Sequence, residues 1–270
     1  MLRFDISFLN IEDAFCLFLR LFFLGIIHIE HKGSYCYNNL GKKTGYLGVD
    51  SVTKTKAAVS LMLNSLTALA TAFVIVLLFF IEDPVIDNGW ESFMFFTTDA
   101  NILTAIASVI VAIFDIRVLR GKADTIPKFA ELLKFVGVVS LMLTFATVIL
   151  FLVPVYGAGY ELGGTNFHVH LAAPMMSLFS FLFCEKQSKI SVKESLLGLL
   201  PTGVYAAVYY VMVVAIGADN GGWVDFYTFN QDGHWLSFFL VLMAATFGIC
   251  MLVRLSFKSG NRMVKVKVNY

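Results

Sequence analysis

The chain has 270 residues, 58% of them hydrophobic and only 14% charged, with a formal net charge of +1 and a mean hydropathy of +0.78. A soluble domain carries about a quarter charged residues. This composition excludes a disordered chain, a nucleic-acid binder and a soluble enzyme, and it specifies an integral membrane protein.

In chain order, residues 1–56 form an N-terminal segment on the cytoplasmic side. Within it the apolar stretch 14–29 is shorter than the roughly 20 residues a spanning helix needs, and Arg20 sits near its middle. Arginine at a span centre costs on the order of 2.5–3.5 kcal/mol on insertion scales, so an interfacial helix with Arg20 snorkelling is expected. The alternative is a seventh span with an outside N-terminus. Asp5, Glu12 and Asp13 occupy what would be the basic leader of a signal peptide and argue against one.

Six apolar stretches are long enough to cross: about 57–81, 93–119, 132–155, 167–184, 196–217 and 235–255. They predict an all-α, polytopic six-helix transmembrane domain over 57–255, followed by a basic cytoplasmic tail, 256–270. Every one of the 20 lysines and arginines falls before the first span, around the second-to-third or fourth-to-fifth connection, or after the sixth. Lys134 is counted here as a flank of the third span. The intervening loops carry acids only, among them Glu82, Asp83, Glu161, Asp219 and Asp225. The positive-inside rule therefore predicts both ends of the six-span chain in the cytoplasm of a cell-membrane protein. Cys16, Cys36, Cys184 and Cys250 lie toward that side without metal-ligand spacing. Reduced or buried thiols are expected, with no metal site and no cofactor.

Polar side chains inside spans are costly and mark candidate sites. Thr97, Thr98, Asp99 and Asn101 lie roughly 6–12 Å below the outer end of the second span, taking a helical rise of about 1.5 Å per residue. His168 and His170 open the fourth span, Tyr209 and Tyr210 lie in the outer half of the fifth, and His234 opens the sixth. All occupy one layer. Asn166, His170 and Pro174 repeat at four and share a face, whereas His168 and His170, two apart, point to nearly opposite sides. Each has an ordinary structural alternative. Threonine in a membrane helix bonds back to its own i−4 carbonyl, Asn101 joins helices, and Tyr209 packs in an aromatic belt.

The strings FFTTDANIL, LTFATVILFLVP, NFHVHLAAP and PTGVYAAVYY, in this order across four spans, resemble a family of bacterial six-span membrane proteins of unknown function. That family is distantly similar to the androgen-induced membrane proteins of animals. The resemblance covers about residues 57–230. It implies hydrolysis of fatty acid esters of hydroxy fatty acids by an intramembrane threonine and histidine. The animal pattern, Thr with Asn or Asp three residues on, selects Thr98 and Asn101. The bacterial pattern F-T-x-x-x-N selects Thr97. The histidine of N-x-x-x-H before a proline is His170, with Asn166 and Pro174; Leu171 stands where the animal motif has threonine.

A threonine hydroxyl becomes a useful nucleophile when an adjacent imidazole takes its proton. Asn101, Tyr209 or a backbone N–H are the candidate oxyanion donors, and Asp99 stands beside them. Two function classes follow. The first is an outward-facing hydrolase of lipid or acyl esters with Thr97 or Thr98 as nucleophile and His170 as base, its partners membrane lipids. The second is a transporter or channel-like protein drawing cations toward Asp99 and His170, with a non-enzymatic structural factor as the remaining option. The inner halves of the spans offer mainly Asn64, Ser108, Asp115, Ser140 and Thr144, a sparse route for ions, which ranks the hydrolase first.

Overall fold

The structure, a computed structural model, describes residues 54–80, 89–185 and 190–265. Among the described residues the chain is all helical, and six helices are long and apolar enough to cross a membrane: α1 (Lys54–Leu77), α2 (Phe96–Leu119), α3 (Lys128–Tyr156), α4 (Gly164–Cys184), α5 (Val192–Ile216) and α6, whose spanning part is Trp235–Ser256. The protein is thus a multi-pass integral membrane protein. Segment 14–29 and its expected interfacial helix lie outside the described residues.

Side-chain pairs give the register. Ala57 clusters with Val118, Ser60 bonds Asp115, and Lys134 bonds Ser108. Asn64 bonds Ser180, and Thr71 bonds His168. Sequence numbers rise along one helix as they fall along its partner, so α1 is antiparallel to α2 and α4, and α2 to α3. The bundle therefore has a basic end, near Lys56, Arg120 and Glu185, and an acidic end, near Glu91, Glu161 and Asp225.

Lipid is as apolar as leucine, so burying leucine between helices gains little and close backbone approach decides where helices meet. A Cβ on Gly137 of α3 would lie 2.8 Å from Thr104 Oγ1 of α2, and one on Gly198 of α5 would lie 2.6 Å from Cys250 Sγ of α6. At both crossings glycine is what lets the helices touch.

The same physics inverts α1. Its buried residues are Ala57, Ser60, Asn64, Thr67, Thr71 and Val74, while Met62, Leu66, Leu69 and Phe73 are exposed. Spacings of three and four put the polar set on one face. That face turns inward because its hydroxyls and amide find partners there and none in hydrocarbon. An apolar core cluster lies beside it, including Leu103, Phe135, Val138, Val139, Phe181 and Cys250.

Candidate functional site

The α-helical part of α2 starts at Phe96, preceded by the short 3-10 helix Gly89–Met94. Thr97, Thr98 and Asp99 therefore occupy its first turn. The α-helix thus begins about three residues later than the expected span start near residue 93, which makes these groups shallower than the roughly 6 Å or more expected. The position has a chemical consequence. Thr67, Thr104, Thr144 and Thr246 all donate to their own i−4 carbonyls, at 2.9, 2.8, 3.3 and 2.8 Å. A first-turn residue has no helical carbonyl four residues back. Neither the Thr97 nor the Thr98 hydroxyl makes a hydrogen bond among the described residues, and Thr98 is buried.

Asn101 ties α2 to α4. Its Nδ2 donates to the Thr97 carbonyl (2.8 Å) and to the Val169 carbonyl (3.2 Å). Val169 lies between the two histidines, so the threonine turn and the histidine turn share one layer. Both donors of the amide are used and Oδ1 is buried without a partner, so what Asn101 presents is an acceptor. It is therefore no oxyanion donor.

The two histidines diverge as their spacing requires. The His168 Nε2 lies 3.0 Å from Thr71 Oγ1 on α1. Buried His170 turns instead to the segment before its own helix, where Nδ1 lies 2.7 Å from the Glu161 carbonyl and 3.7 Å from Glu161 Oε2. A carbonyl only accepts, so Nδ1 carries a proton, and in the neutral ring Nε2 is the nitrogen with the lone pair. Asn166, one turn earlier on the same face, donates to the neighbouring Tyr160 carbonyl at 3.2 Å. Asn166 and His170 thus hold the Tyr160–Glu161 turn together. Glu161 is itself buried, and burial pushes its carboxyl above the ordinary glutamate range. Neither Glu161 nor Thr71 carries a motif in the sequence. The π-helical turn His168–Ala172, just ahead of Pro174, is a local irregularity of a kind frequent at functional sites.

Tyr209 belongs elsewhere. Its hydroxyl donates to Asp225 Oδ1 (2.8 Å) and accepts from the Tyr227 amide (3.0 Å). The Asp225 carboxylate also accepts the Phe229 and Asn230 amides, at 2.9 and 2.8 Å. This knot folds the connection between α5 and α6 over the start of α2, where the Phe96 amide donates to the Tyr227 hydroxyl at 3.3 Å. Tyr205 donates to the Met94 carbonyl at 2.5 Å. Asp99 is within electrostatic reach of Tyr205 and Tyr227 and leaves Oδ1 buried without a hydrogen bond among the described residues. The phenol of Tyr209 is thus committed to the loop. Thr98 and Asp99 donate their amides to the Phe95 carbonyl, which leaves Thr97 N–H as the unused first-turn amide among the described residues. The apolar groove between Tyr209, Tyr210, Phe229 and Trp235 includes none of Thr97, Thr98 or His170.

The basic half of the bundle departs most from expectation. Lys134 is no flanking charge: it lies within α3 and is 0% exposed. Its Nζ donates to Asn64 Oδ1 (2.6 Å) and Ser108 Oγ (2.8 Å). Asn64 Nδ2 contacts Ser60 Oγ, Ser180 Oγ and Glu185 Oε1, each at 3.1 Å. Ser60 donates to Asp115 Oδ2 at 2.7 Å and Ser180 to Glu185 Oε1 at 2.5 Å. The inner halves are therefore richer in polar groups than the sequence suggests, and their apolarity no longer argues against an ion route. Among the described residues no group of three or more His, Cys, Asp or Glu side chains is arranged to hold a metal ion.

The chain matches no family model, no curated protein and no solved structure.

Proposed function

We propose that the protein is an intramembrane hydrolase of lipid or acyl esters, in the manner of the androgen-induced membrane proteins its strings resemble. It would act at the acidic end, which faces outward from a cell membrane while the basic end and both termini are cytoplasmic. Thr97 or Thr98 attacks the ester carbonyl, and His170 Nε2 takes the hydroxyl proton and returns it to the leaving alcohol; water, deprotonated by the same Nε2, then cleaves the acyl-threonine, releasing the fatty acid and restoring the hydroxyl. The Thr97 amide is the available oxyanion donor, since helix N-terminal N–H groups suit developing negative charge.

The observation that carries this reading is the His170–Glu161 contact. It supports this reading because, in the neutral ring, it leaves Nε2 as the basic nitrogen that a general base requires, in the layer where two threonine hydroxyls are unbonded. The purified protein in lipid nanodiscs, supplied with a fatty acid ester of a hydroxy fatty acid, tests it. Hydrolysis that disappears with His170→Ala and with loss of both Thr97 and Thr98 supports the reading. No turnover by wild type, or turnover indifferent to all three, overturns it.

One observation favours a second reading, ion movement through the bundle: the buried polar face of α1 runs from Ser60 to Thr71, joining the basic-half network to His168. Ion flux in proteoliposomes without ester turnover would select it.

A further inference from the structure

Burying an ammonium or a carboxylate costs several kcal/mol per ion unless it is paired. Lys134, Asp115 and Glu185 are 0%, 1% and 7% exposed, yet among the described residues no Lys134–carboxylate contact falls within ion-pair distance. The ammonium instead meets neutral oxygens of Asn64 and Ser108. Each carboxylate is one or two neutral groups away, Glu185 through Asn64 and Asp115 through Asn64 and Ser60. Lys134 is within electrostatic reach of both.

Two further features make this more than a satisfied buried network. Asp115 Oδ1 is buried without a partner, an acceptor that folding has desolvated and left unused. The buried part of the cluster also holds two carboxylates against one ammonium. The titratable groups within electrostatic reach of Asp115 are Lys134 from α3, Cys184 at the end of α4 and Glu185 just after it, with Lys56 from the exposed start of α1 reaching Cys184. Lys56 lies on the exposed rim of the cluster.

We propose that the Asp115–Lys134–Glu185 cluster is a binding site for one small monovalent cation, a proton or an alkali ion, reached from the basic end of the bundle. The shared chemistry is a single positive charge placed on the Asp115 carboxylate, which gives Oδ1 its partner and brings the buried charge to zero. Ser60, already bonded to Oδ2, orients that carboxylate, and Asn64 relays the occupancy to Lys134 and Glu185. The site lies in the opposite half of the bundle from the threonine–histidine layer and rests on neither reading of function above.

The test uses the full-length protein in detergent. Thermal unfolding is followed across the neutral pH range, at constant ionic strength, in sodium chloride against choline chloride, for wild type and for Asp115→Asn. The asparagine stands in for the neutralised acid. If the occupant is a proton, the unfolding constant of wild type relative to Asp115→Asn rises by up to about tenfold per pH unit, equally in both salts. If it is an alkali ion, the wild-type Tm is higher in sodium than in choline and climbs with sodium concentration, while Asp115→Asn is indifferent. Either result supports the site. Identical pH and sodium responses in the two proteins overturn it. Should Asp115→Asn fail to fold, Glu185→Gln at the mouth of the cluster serves in its place, with the same weakened dependence expected and an unchanged dependence counting against the site.

Discussion

His170 is held by the carbonyl of Glu161, nine residues earlier in the chain, with Nδ1 2.7 Å from the oxygen. The bond reaches out of α4 to the turn that precedes it, and Asn166 grips the same turn through Tyr160. The imidazole is thereby oriented by backbone, so the Glu161 side chain can be changed without removing the bond that sets the tautomer. That separation makes the catalytic reading testable one atom group at a time.

Replacing His170 with Ala should lower ester-hydrolysis kcat by about 10²–10⁴-fold, the usual worth of one acid–base group. Thr97→Ala and Thr98→Ala should differ sharply, one comparably severe and the other mild. The double mutant of His170 and the severe threonine should be scarcely worse than either single, because members of one catalytic unit are not additive. Initial-rate kinetics on the reconstituted protein decide this. Independent, additive effects would point to structural roles.

Thr71→Val removes the contact to His168 and should cost stability of about 0.6 kcal/mol, the average worth of a hydrogen bond between membrane helices, with about 1.7 as the upper end. Turnover should be retained. If Thr71→Val and His168→Ala abolish hydrolysis while the Thr97 and Thr98 variants keep it, the nucleophile–base pair is Thr71–His168.

Glu161 predicts a pH effect. Its carboxyl is raised by burial, so the stability it contributes is complete below its unfolded-state pKa and is lost as pH rises through the folded-state value. Wild type should therefore lose thermal stability relative to Glu161→Gln over that interval, with a constant difference above it. Tm against pH for the two proteins measures this. Parallel curves throughout would mean that the carboxyl is not desolvated.

Gly137→Ala should destabilise the bundle by about 1–3 kcal/mol, the usual cost of overpacking, since the added methyl would meet Thr104 Oγ1 at 2.8 Å and Thr104 Cα at 3.1 Å. Gly159→Ala, where nothing lies within 4 Å of the added Cβ, is the control. Equal Tm values for the two variants would show that the α2–α3 crossing is looser than described.

Orientation is open to direct labelling. With Cys16 and Cys36 replaced by Ser, a cysteine at position 219 should react with an impermeant maleimide in intact cells and one at position 122 should react only after permeabilisation. The reverse pattern would invert the topology.

Hydropathy and helical periodicity are local properties, and they made much of this protein legible in its sequence. The six spans follow from runs of apolar residues, because each backbone N–H and C=O in hydrocarbon must be satisfied within its own helix. Asn166 and His170 share a face, and His168 and His170 diverge, because helix geometry alone dictates it. What the sequence left open depended on partners distant along the chain. Lys134 reads as a flanking charge because it stands six residues into a helix beside Lys128. Only the meeting of α1, α2 and α4 around it supplies Asn64 and Ser108 and lets it stay inside. Tyr209 and Asn101 read as free donors until the α5–α6 connection and Val169 claim their hydrogen bonds. Glu161 was one acid among several in the outer loops, and the fold of its turn placed its carbonyl at the one histidine nitrogen that decides the tautomer.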